Sequence, residues 1–486
     1  MTSRPILLIQ MQRMGDLVLT FPLLLWLARQ YPDHPLWVVA EPAFFKGLMP
    51  LSPEVTYFPP TAAPRLARES YFAVINVSHR PEAARLAGSA RCEWRVGPAE
   101  IDGVTHIHGP WQLYRASLVQ NNRHNLFHWA ELNGLDAVPP DLIRRTRWPA
   151  PEHTRTDASR VGLFLGASDV AKRPSAAFWS QLVIAMLRRG MKPVLLGGKA
   201  EATLGATVAA TAGSPALNLC GRFSLEEFTR LTRTLRYLIT PDTGPMHVAA
   251  WMGTPVLNLS MGHVHPWETG PYQPEHHVLR STISCTGCWQ CKHSTLLCHR
   301  PFSPDRVAAL VHALIHHARS ESSVTGSTRG TMPNGSPEPL PVRPPGQSLM
   351  VTGRAHGLYA LHSIDGGPRS PRETLDFFWQ RFFGAELGLW AFPPVAEAWQ
   401  AVCETSPSLV PHLRSALLTI SREVLVAVKR GNGSAYSDEF WRMHPQLIRP
   451  LSGYLHLLLQ NNGFSRLGFS QSLAMLERLT SLSANA

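Results

Sequence analysis

Long apolar runs are missing from this 486-residue sequence. No stretch reaches the roughly 18 consecutive apolar residues that a membrane-spanning helix requires, so no such helix is predicted. Charged residues are also scarce, at 16%, whereas apolar residues make up 44% and the mean hydropathy is -0.08. This balance is typical of a folded, soluble protein and excludes a mostly disordered chain. The length predicts two or three domains of ~100 to 200 residues each.

Lysine is rare, with only six among the 46 basic residues, but basic residues still exceed the 34 acidic ones to give a net charge of +12. Such a surplus favours an anionic partner, and nucleic acid, phosphorylated lipid and nucleotide all qualify. Residues 156–349 carry 18 basic and 11 acidic side chains, which is more than half of the surplus. The interleaved aromatic and basic strands that would bind nucleic acid are missing, so we expect no nucleic-acid partner.

The seven cysteines are an odd number in a long chain, which argues against a secreted disulfide framework and for a reducing cytoplasm. Four of them lie within 14 residues: Cys285, Cys288, Cys291 and Cys298. Four soft ligands at this spacing predict a structural zinc site, and an iron–sulfur cluster is the second metal centre that they could hold. Free thiols and disulfides are the alternatives. We expect any metal here to be remote from the chemistry.

Strand-like and helix-like segments alternate up to residue 319. The apolar run 6–11 is followed at once by Gln12, Arg13 and Asp16, which indicates a buried strand rather than a secretion signal. A helical period then covers 17–31. Further strands are predicted at 36–40, 73–77, 161–165, 193–196, 237–240 and 256–259. Such alternation is typical of parallel sheets covered on both faces, so we expect two doubly wound α/β domains, 1–155 and 156–319.

A segment rich in small and turn-forming residues follows. Proline, glycine, serine and threonine make up 18 of the 27 residues from 320 to 346. Because this segment has little to bury, we predict a flexible linker over 320–349. Helical patterns then appear at 375–383, 395–403, 409–430, 437–443 and 448–460. The sequence therefore predicts a helical accessory domain over 350–486, without a catalytic constellation of its own.

The first candidate site is the loop between the first strand and the first helix. A dinucleotide-binding loop needs three spaced glycines there, and only Gly15 is present, which disfavours NAD and FAD. The loop instead presents Asp16 at the carboxyl end of a strand, where open α/β sheets place their chemistry. Such a carboxylate can act as a general base toward a hydroxyl nucleophile, or it can merely cap the helix.

Three further strand ends carry candidate ligand-binding residues. Gly244 allows a tight turn into a helix whose first N–H groups can bind an anion, while Thr243 adds a hydroxyl and His247 a ring N–H. A diphosphate is the ligand that this loop predicts. Lys172 supplies a mobile cation for a phosphate, and Glu201 can accept hydrogen bonds from ribose hydroxyls. The alternative for each of these residues is a structural role, either as a helix cap or as a surface charge at the start of a helix.

Taken in this order, the segments resemble glycosyltransferase family 9, the lipopolysaccharide heptosyltransferases and their relatives. The resemblance covers residues 6 to about 311 and rests on Met-Gly-Asp-Leu-Val at 14–18, on Lys172, on Gly-Gly before Glu201, on 218–227, and on the Asp-Thr-Gly, His and Gly-Thr-Pro pattern of 242–255. It implies a GT-B fold, in which two Rossmann-like domains face a cleft. The acceptor then lies on the first domain and the nucleotide-sugar on the second.

The resemblance also implies roles for individual residues. Asp16 matches the family's proposed catalytic base, Lys172 a donor-phosphate contact and Glu201 a nucleoside contact. The loop for the donor sugar and diphosphate corresponds to Asp242, Thr243, Gly244 and His247. The family inverts the anomeric centre. No Asp-x-Asp motif for a catalytic divalent metal is evident, so no cofactor is expected for catalysis.

The sequence therefore predicts an inverting glycosyltransferase that moves a sugar, heptose from ADP-heptose, to a lipopolysaccharide-core or related glycan acceptor. The expected partners are a nucleotide-sugar donor and an anionic glycolipid or glycan, with the protein cytoplasmic and in peripheral contact with the inner face of the inner membrane. Two alternatives stay open. One is a transferase that uses another nucleotide-sugar on protein or exopolysaccharide, and the other is a non-catalytic scaffold that binds nucleotide-sugar.

Overall fold

The computed structural model describes residues 3–151, 159–214, 217–283, 285, 288–289, 291–324, 346–364, 366–430 and 438–484. Two separate sheets organise this part of the chain. Each is built mainly of short, buried, parallel strands with helices between them, as the alternating apolar pattern predicts. Among the described residues, no helix combines the length and apolar character that crossing a bilayer requires.

The first sheet has six strands: β1 (Ile6–Ile9), β2 (Leu36–Val39), β3 (Thr56–Phe58), β4 (Ser70–Asn76), β5 (Arg91–Ile101) and β6 (Val104–His108). Their spatial order is β3-β2-β1-β4-β5-β6, and all neighbours are parallel except the antiparallel pair β5 and β6. Every residue of β1 is buried, as expected for a central strand. The chain leaves β1 directly into the Asp16 loop, which therefore lies at the middle of the carboxyl edge of the sheet.

Eight α-helices belong to this first domain: α1 (Met14–Val18), α2 (Phe21–Gln30), α3 (Pro42–Leu48), α4 (Ala63–Leu66), α5 (Pro81–Ser89), α6 (Pro110–Ser117), α7 (Trp129–Leu132) and α8 (Pro140–Arg145). Proline occupies the first turn of several of them, where its missing N–H costs no hydrogen bond. The single predicted helix 17–31 is two helices, because the chain bends at Leu19 and Thr20 between α1 and α2.

The second sheet has seven strands: β7 (Arg160–Phe164), β8 (Lys192–Leu196), β9 (Tyr237–Pro241), β10 (Val256–Ser260), β11 (His277–Ser281), β12 (Gln347–Ala355) and β13 (Leu358–Ser363). Their order is β13-β12-β11-β10-β9-β7-β8. The five strands from β7 to β11 are parallel, while β12 and β13 join antiparallel at one side. The carboxyl ends of β7, β8 and β9 carry Lys172, Glu201 and the loop that begins at Asp242.

The remaining helices fall into two groups. Those of the second domain are α9 (Ala176–Arg188), α10 (Ala202–Thr211), α11 (Leu225–Thr232), α12 (Gly244–Trp251), α13 (Pro266–Thr269) and α14 (Pro304–Val324). Those of the carboxyl-terminal region are α15 (Pro371–Glu386), α16 (Pro393–Thr405), α17 (Leu409–Arg430), α18 (Asp438–Arg442), α19 (Arg449–Asn461) and α20 (Arg466–Ala484). The predicted helical character of this region is confirmed.

Two strands of the carboxyl-terminal region were not predicted. β12 and β13 form a hairpin whose first strand pairs with β11, from Ser281 opposite Gln347 to His277 opposite Val351. Most of the predicted linker, 325–345, lies outside the described residues. Of its flanks, 320–324 belong to α14 and 347–349 to β12. The chain beyond the linker thus begins by extending the sheet of the second domain.

The helices after this hairpin pack against the first domain instead. The rings of Tyr114 and Phe383 lie 4.7 Å apart between centroids, and Gln380 Nε2 donates to the carbonyl of Leu126 over 3.0 Å. The side chain of Asn461 bonds both the N–H and the carbonyl of Ile107. Apolar residues from these helices and from the first domain form one continuous core. The carboxyl-terminal region therefore contacts both domains.

Candidate active site

Asp16 lies in the first helix of the chain, at the carboxyl edge of the first sheet. Its Oδ2 accepts a hydrogen bond from the backbone N–H of Arg13 over 3.3 Å, so the capping interaction considered from the sequence is present. Burial raises the pKa of the Asp16 carboxyl above its ordinary value, while the charges of Arg115 and Arg13 lower it. A carboxylate with a raised pKa is a better proton acceptor, and the second oxygen remains available for that role.

The loop predicted to bind the donor lies against the Asp16 loop. A β-carbon added to Gly15 would sit 3.0 Å from Cδ2 of His247 and 3.3 Å from Cα of Gly244. A β-carbon on Gly244 would in turn lie 2.5 Å from the Met14 side chain. Glycine at both positions leaves room for this close approach of two helix starts from different domains. Two motifs separated by more than 220 residues are thereby brought into contact.

Lys172 and Asp242 form an ion pair at the carboxyl edge of the second sheet. Lys172 Nζ lies 3.3 Å from Asp242 Oδ2, and the two side chains are only 14% and 10% exposed. Lys172 ends a single 3₁₀ turn that Asp169 starts by accepting the N–H of Ala171 over 2.8 Å. Thr243 precedes α12 in an extended conformation and makes no capping bond to the helix. The ammonium, the hydroxyl and the start of the eight-residue α12 are thus available to one anion.

His247 lies in the first turns of α12 and is uncharged at neutral pH. Burial lowers its pKa to about 4; Asp242 raises the pKa and Lys172 lowers it further. Its Nδ1 is buried and has no hydrogen-bond partner among the described residues. A neutral imidazole of this kind can donate one N–H to an oxygen, but it adds no positive charge to the site.

Glu201 lies between the ends of β7 and β8. Its Oε2 accepts the N–H of Gly198 over 2.8 Å, and its carboxyl carbon would lie 2.6 Å from a β-carbon added to Gly166. The side chain is partly exposed. It is therefore presented at the same sheet edge as Lys172, one strand away.

The two domains also touch at the sides of the cleft. Arg13 Nη1 donates to Ser168 Oγ over 2.8 Å, which joins the Asp16 loop to the loop that leads to Lys172. Trp251 Nε1, at the end of α12, donates to the carbonyl of Leu51 over 2.9 Å. These contacts hold the two candidate loops together in the conformation described.

Arg115 and Arg280 were not singled out from the sequence. Arg115 is buried in α6, donates to the carbonyl of Val77 over 2.9 Å and lies with its guanidinium 4.7 Å from the centre of the Trp129 ring. Its charge is the strongest of those that lower the pKa of Asp16. Arg280 is buried at the end of β11 and donates to Ser260 Oγ over 2.7 Å, while its Nη2 has no partner among the described residues. An arginine near the end of a short apolar strand is a sequence signal by which Arg280 could have been predicted.

The four clustered cysteines line one cavity, and this cavity lies next to the turn that ends at Lys172. Ala171 and His263 line the same cavity, and His299 Nε2 lies 2.7 Å from the carbonyl of Ala171. The cause is topological, because β11 and β7 end at the same sheet edge and the chain after β11 folds back over the loop after β7. All seven cysteines are unpaired in the structure. In the described ranges, no group of three or more His, Cys, Asp or Glu side chains is arranged to hold a metal.

Comparisons with known proteins show that the sequence is similar to one family. A family model described as glycosyltransferase family 9 (heptosyltransferase) matches residues 116–298. The lipopolysaccharide heptosyltransferase 1 of Pseudomonas aeruginosa is 25% identical over an alignment of 351 residues that covers 64% of this chain and 98% of that protein. The lipopolysaccharide core heptosyltransferase OpsX of Haemophilus influenzae is 38% identical over 55 residues, which are 11% of this chain and 16% of that protein.

Two solved structures share the fold. The family 9 glycosyl transferase of Veillonella parvula gives a TM-score of 0.52 at 20% identity and covers 64% of this chain and 97% of its own. The ADP-heptose lipopolysaccharide heptosyltransferase II of Escherichia coli gives 0.50 at 20% identity, over 65% and 99%. The two Rossmann-like domains of the predicted GT-B fold are thereby confirmed. With its motifs brought together between those domains, the chain is a glycosyltransferase whose residues 116–298 are similar to family 9.

Proposed function

We propose that this glycosyltransferase transfers heptose from ADP-heptose to a hydroxyl of a lipopolysaccharide-core or related glycan acceptor, with inversion at the anomeric carbon. The observation that carries the proposal is the contact between the Asp16 loop and the loop of Gly244 and His247. It brings a proton acceptor and an anion-binding helix start to one point. The names of the relatives, which specify heptosyltransferases and in one case ADP-heptose, support this donor and this class of acceptor.

In the proposed reaction, Asp16 removes the proton from the acceptor hydroxyl as its oxygen attacks the anomeric carbon. The new bond forms on the face opposite the bond to the diphosphate, which breaks and leaves its electron pair on the phosphate oxygen. The products are the glycoside, ADP and a protonated Asp16, which then loses its proton to solvent. Attack from the face opposite the leaving group inverts the configuration.

The leaving diphosphate gains charge as its bond to the sugar breaks. Lys172 supplies the positive charge, while Thr243, the neutral His247 and the start of α12 supply hydrogen-bond donors. Asp242 already holds Lys172 at this position, so the ammonium is oriented before the donor binds. Glu201 lies one strand away, where it would bind hydroxyls of the nucleoside.

A nucleotide screen tests the donor. We expect ADP to stabilise the protein more than GDP, UDP or CMP, because ADP is the leaving group proposed here. At 100 times its dissociation constant, a ligand stabilises the folded state by ~2.7 kcal/mol. For domains of this size, that corresponds to a rise in melting temperature of roughly 5 to 10 °C. A larger shift with UDP or GDP would select the alternative donor, and no shift with any nucleotide would contradict the assignment of the cleft.

The pH dependence of transfer tests the pairing of Arg115 with Asp16. Because Asp16 acts as a base, kcat/KM should fall as pH drops through its pKa. Arg115 lowers that pKa, so Arg115→Met should move the acid limb of the profile to higher pH. Arg115→Lys retains a charge and should move it less. An unchanged limb in a folded Arg115→Met protein would show that Arg115 does not control Asp16.

The proposal includes a structural role for the cysteine cluster. A structural zinc would be held by Cys285, Cys288, Cys291 and Cys298, which line one cavity, although their present arrangement is not that of a ligand set. We expect about one zinc per chain in protein purified without chelator, lost on changing Cys291 and Cys298 together to Ser. Metal content measured by mass spectrometry decides this, and a metal-free protein of undiminished melting temperature would exclude the structural role.

A further inference from the structure

Helix α17 carries an exposed apolar stripe. Four of the fifteen strongly exposed large apolar side chains of the described residues lie on this one helix. Leu418 is 49% exposed, Leu425 44%, Val426 41% and Val428 41%. Leu418 and Leu425 are seven residues apart and therefore lie on the same face, two turns from each other. This part of α17 therefore exposes several apolar side chains close together, unlike a single exposed residue elsewhere in the chain.

The opposite face of α17 is already occupied. Leu413, Leu417, Ile420 and Val424 are each at most 1% exposed and belong to the core shared with the first domain. One apolar face therefore fixes the helix in the fold. The exposed stripe is a second apolar face of the same helix. Packing within the described chain does not account for it.

Positive charge accompanies the stripe. Arg422 and Lys429 are exposed and follow Leu418 and Leu425 by four residues each, so they lie between and beside these leucines. The sequence of α17 contains one acidic residue, Glu423, at the edge of the exposed face. Its Oε2 lies 3.1 Å from His444 Nε2. The exposed face is therefore apolar and basic.

Met443 extends the apolar surface beside the same half of the helix. It is 79% exposed, the highest value among the large apolar side chains. Its neighbour His444 contacts Glu423, which fixes Met443 next to the carboxyl-terminal half of α17. The preceding residue, Arg442, is exposed as well and adds a further positive charge.

We propose that this face of α17, defined by Leu418, Arg422, Leu425 and Lys429, binds the surface of an anionic lipid bilayer. A helix that lies in the interface of a membrane buries apolar side chains at the level of the lipid headgroups and pairs lysine and arginine with their phosphates. Charge complementarity decides between this partner and a second copy of the chain, because two such basic faces would repel each other. The proposal rests on the proposed glycolipid acceptor, to which it adds the surface on which the enzyme meets that acceptor.

The position of α17 in the molecule suits this role. The helical region that contains it packs on the first domain through α19 and α6, where Asn121 Nδ2 donates to the carbonyl of Arg449 over 2.9 Å. The first domain is the one that provides Asp16 and is proposed to hold the acceptor. A bilayer bound by α17 would therefore be attached to the acceptor side of the enzyme.

Sedimentation with vesicles tests the proposal on the full-length protein. We expect binding to phosphatidylcholine vesicles that contain about 30% phosphatidylglycerol, and weak binding to pure phosphatidylcholine. Arg422→Gln with Lys429→Gln should reduce the partition coefficient roughly 25-fold, because each charge near an anionic surface contributes about fivefold. Leu418→Ser with Leu425→Ser should reduce it about tenfold or more. All four positions are on the surface, so the variants should fold.

Leu187→Ser is the matched control. Leu187 is 39% exposed on α9 of the second domain, and its replacement should leave vesicle binding unchanged. A wild-type protein that does not bind anionic vesicles, or an equal loss in Leu187→Ser, would overturn the proposal. So would a dimer in solution that the double leucine variant dissolves, since a second copy would then cover the stripe. A shift of the melting temperature by ADP in the same preparations would show that only the membrane surface, and not the enzymatic assignment, has failed.

Discussion

Replacing Asp16 by Asn is expected to reduce sugar transfer by about 10²- to 10⁴-fold, which is the usual contribution of a positioned general base. The amide retains an oxygen that can accept the Arg13 N–H, so the start of α1 should keep its geometry. Donor binding should be nearly unchanged, because in the proposed reaction Asp16 acts on the acceptor hydroxyl and not on the diphosphate. Transfer rates and the dissociation constant of ADP, measured on the same protein, separate these two effects.

The same variant should be at least as stable as the wild type at neutral pH. Burial raises the pKa of Asp16 in the folded state, so keeping the carboxylate charged there opposes folding. This cost is absent below the pKa of the unfolded chain and grows as pH rises through the folded-state value. The melting temperature of Asp16→Asn should therefore exceed that of the wild type at pH 7, and the difference should disappear in acid. Loss of activity with no loss of stability is the signature of a catalytic group.

Asp33→Asn provides the control, because Asp33 is an exposed aspartate that follows α2 and lies outside the cleft. It should leave transfer and melting temperature as they are. Turnover that survives in Asp16→Asn would remove Asp16 from the mechanism. A fall in ADP affinity equal to the fall in rate would instead assign it to donor binding.

Replacing Lys172 by Met should lower kcat about 10²- to 10³-fold, the loss typical of one group that stabilises charge in a transition state. It should also destabilise the protein by up to about 3 kcal/mol, because Asp242 would keep a largely buried charge without its partner. Kinetics of transfer and thermal unfolding report on these two effects separately.

A double variant distinguishes catalysis from folding at this ion pair. Asp242→Asn added to Lys172→Met removes the unpaired charge and should restore most of the melting temperature, while transfer stays low. Lys192→Met is the control for loss of a lysine, since Lys192 starts β8 at the opposite edge of the sheet. If the double variant recovers activity together with stability, Lys172 acts only by neutralising Asp242.

Much of the two-sheet fold could be predicted from local pattern. The runs 36–40, 193–196, 237–240 and 256–259 correspond to β2, β8, β9 and β10 within a residue or so at each end, because buried parallel strands are short and almost wholly apolar. β5 was missed since it mixes charged residues with a glycine and a proline, and β6 was missed since it is short and has no fully buried residue. β12 was missed because the strand it pairs with, β11, lies more than 60 residues earlier in the chain, and β13 is placed in the sheet through β12. No local period records such a pairing.

The candidate site residues that directly follow a strand could be predicted from the sequence. Asp16, Lys172, Glu201 and Asp242 each come after a buried strand, and parallel strands bring such ends to one edge of a sheet. Their contact across the cleft was expected only from the family resemblance. Arg115 carries no comparable signal, since it lies on a short helix among polar residues and reaches the site only through the packing of α6. That packing depends on the whole domain.

The β12 and β13 hairpin has a consequence for any attempt to shorten this protein. In its absence, β11 would become the outer strand of the second sheet, with its N–H and carbonyl groups unpaired along one side. Open strands of this kind pair with other chains and lead to aggregation. A chain cut after α14 to match the length of the smaller relatives would therefore be prone to aggregate through β11. The carboxyl-terminal region protects this edge of the sheet by pairing with β11. The catalytic domains of this enzyme therefore cannot be separated from that region unless another segment pairs with β11.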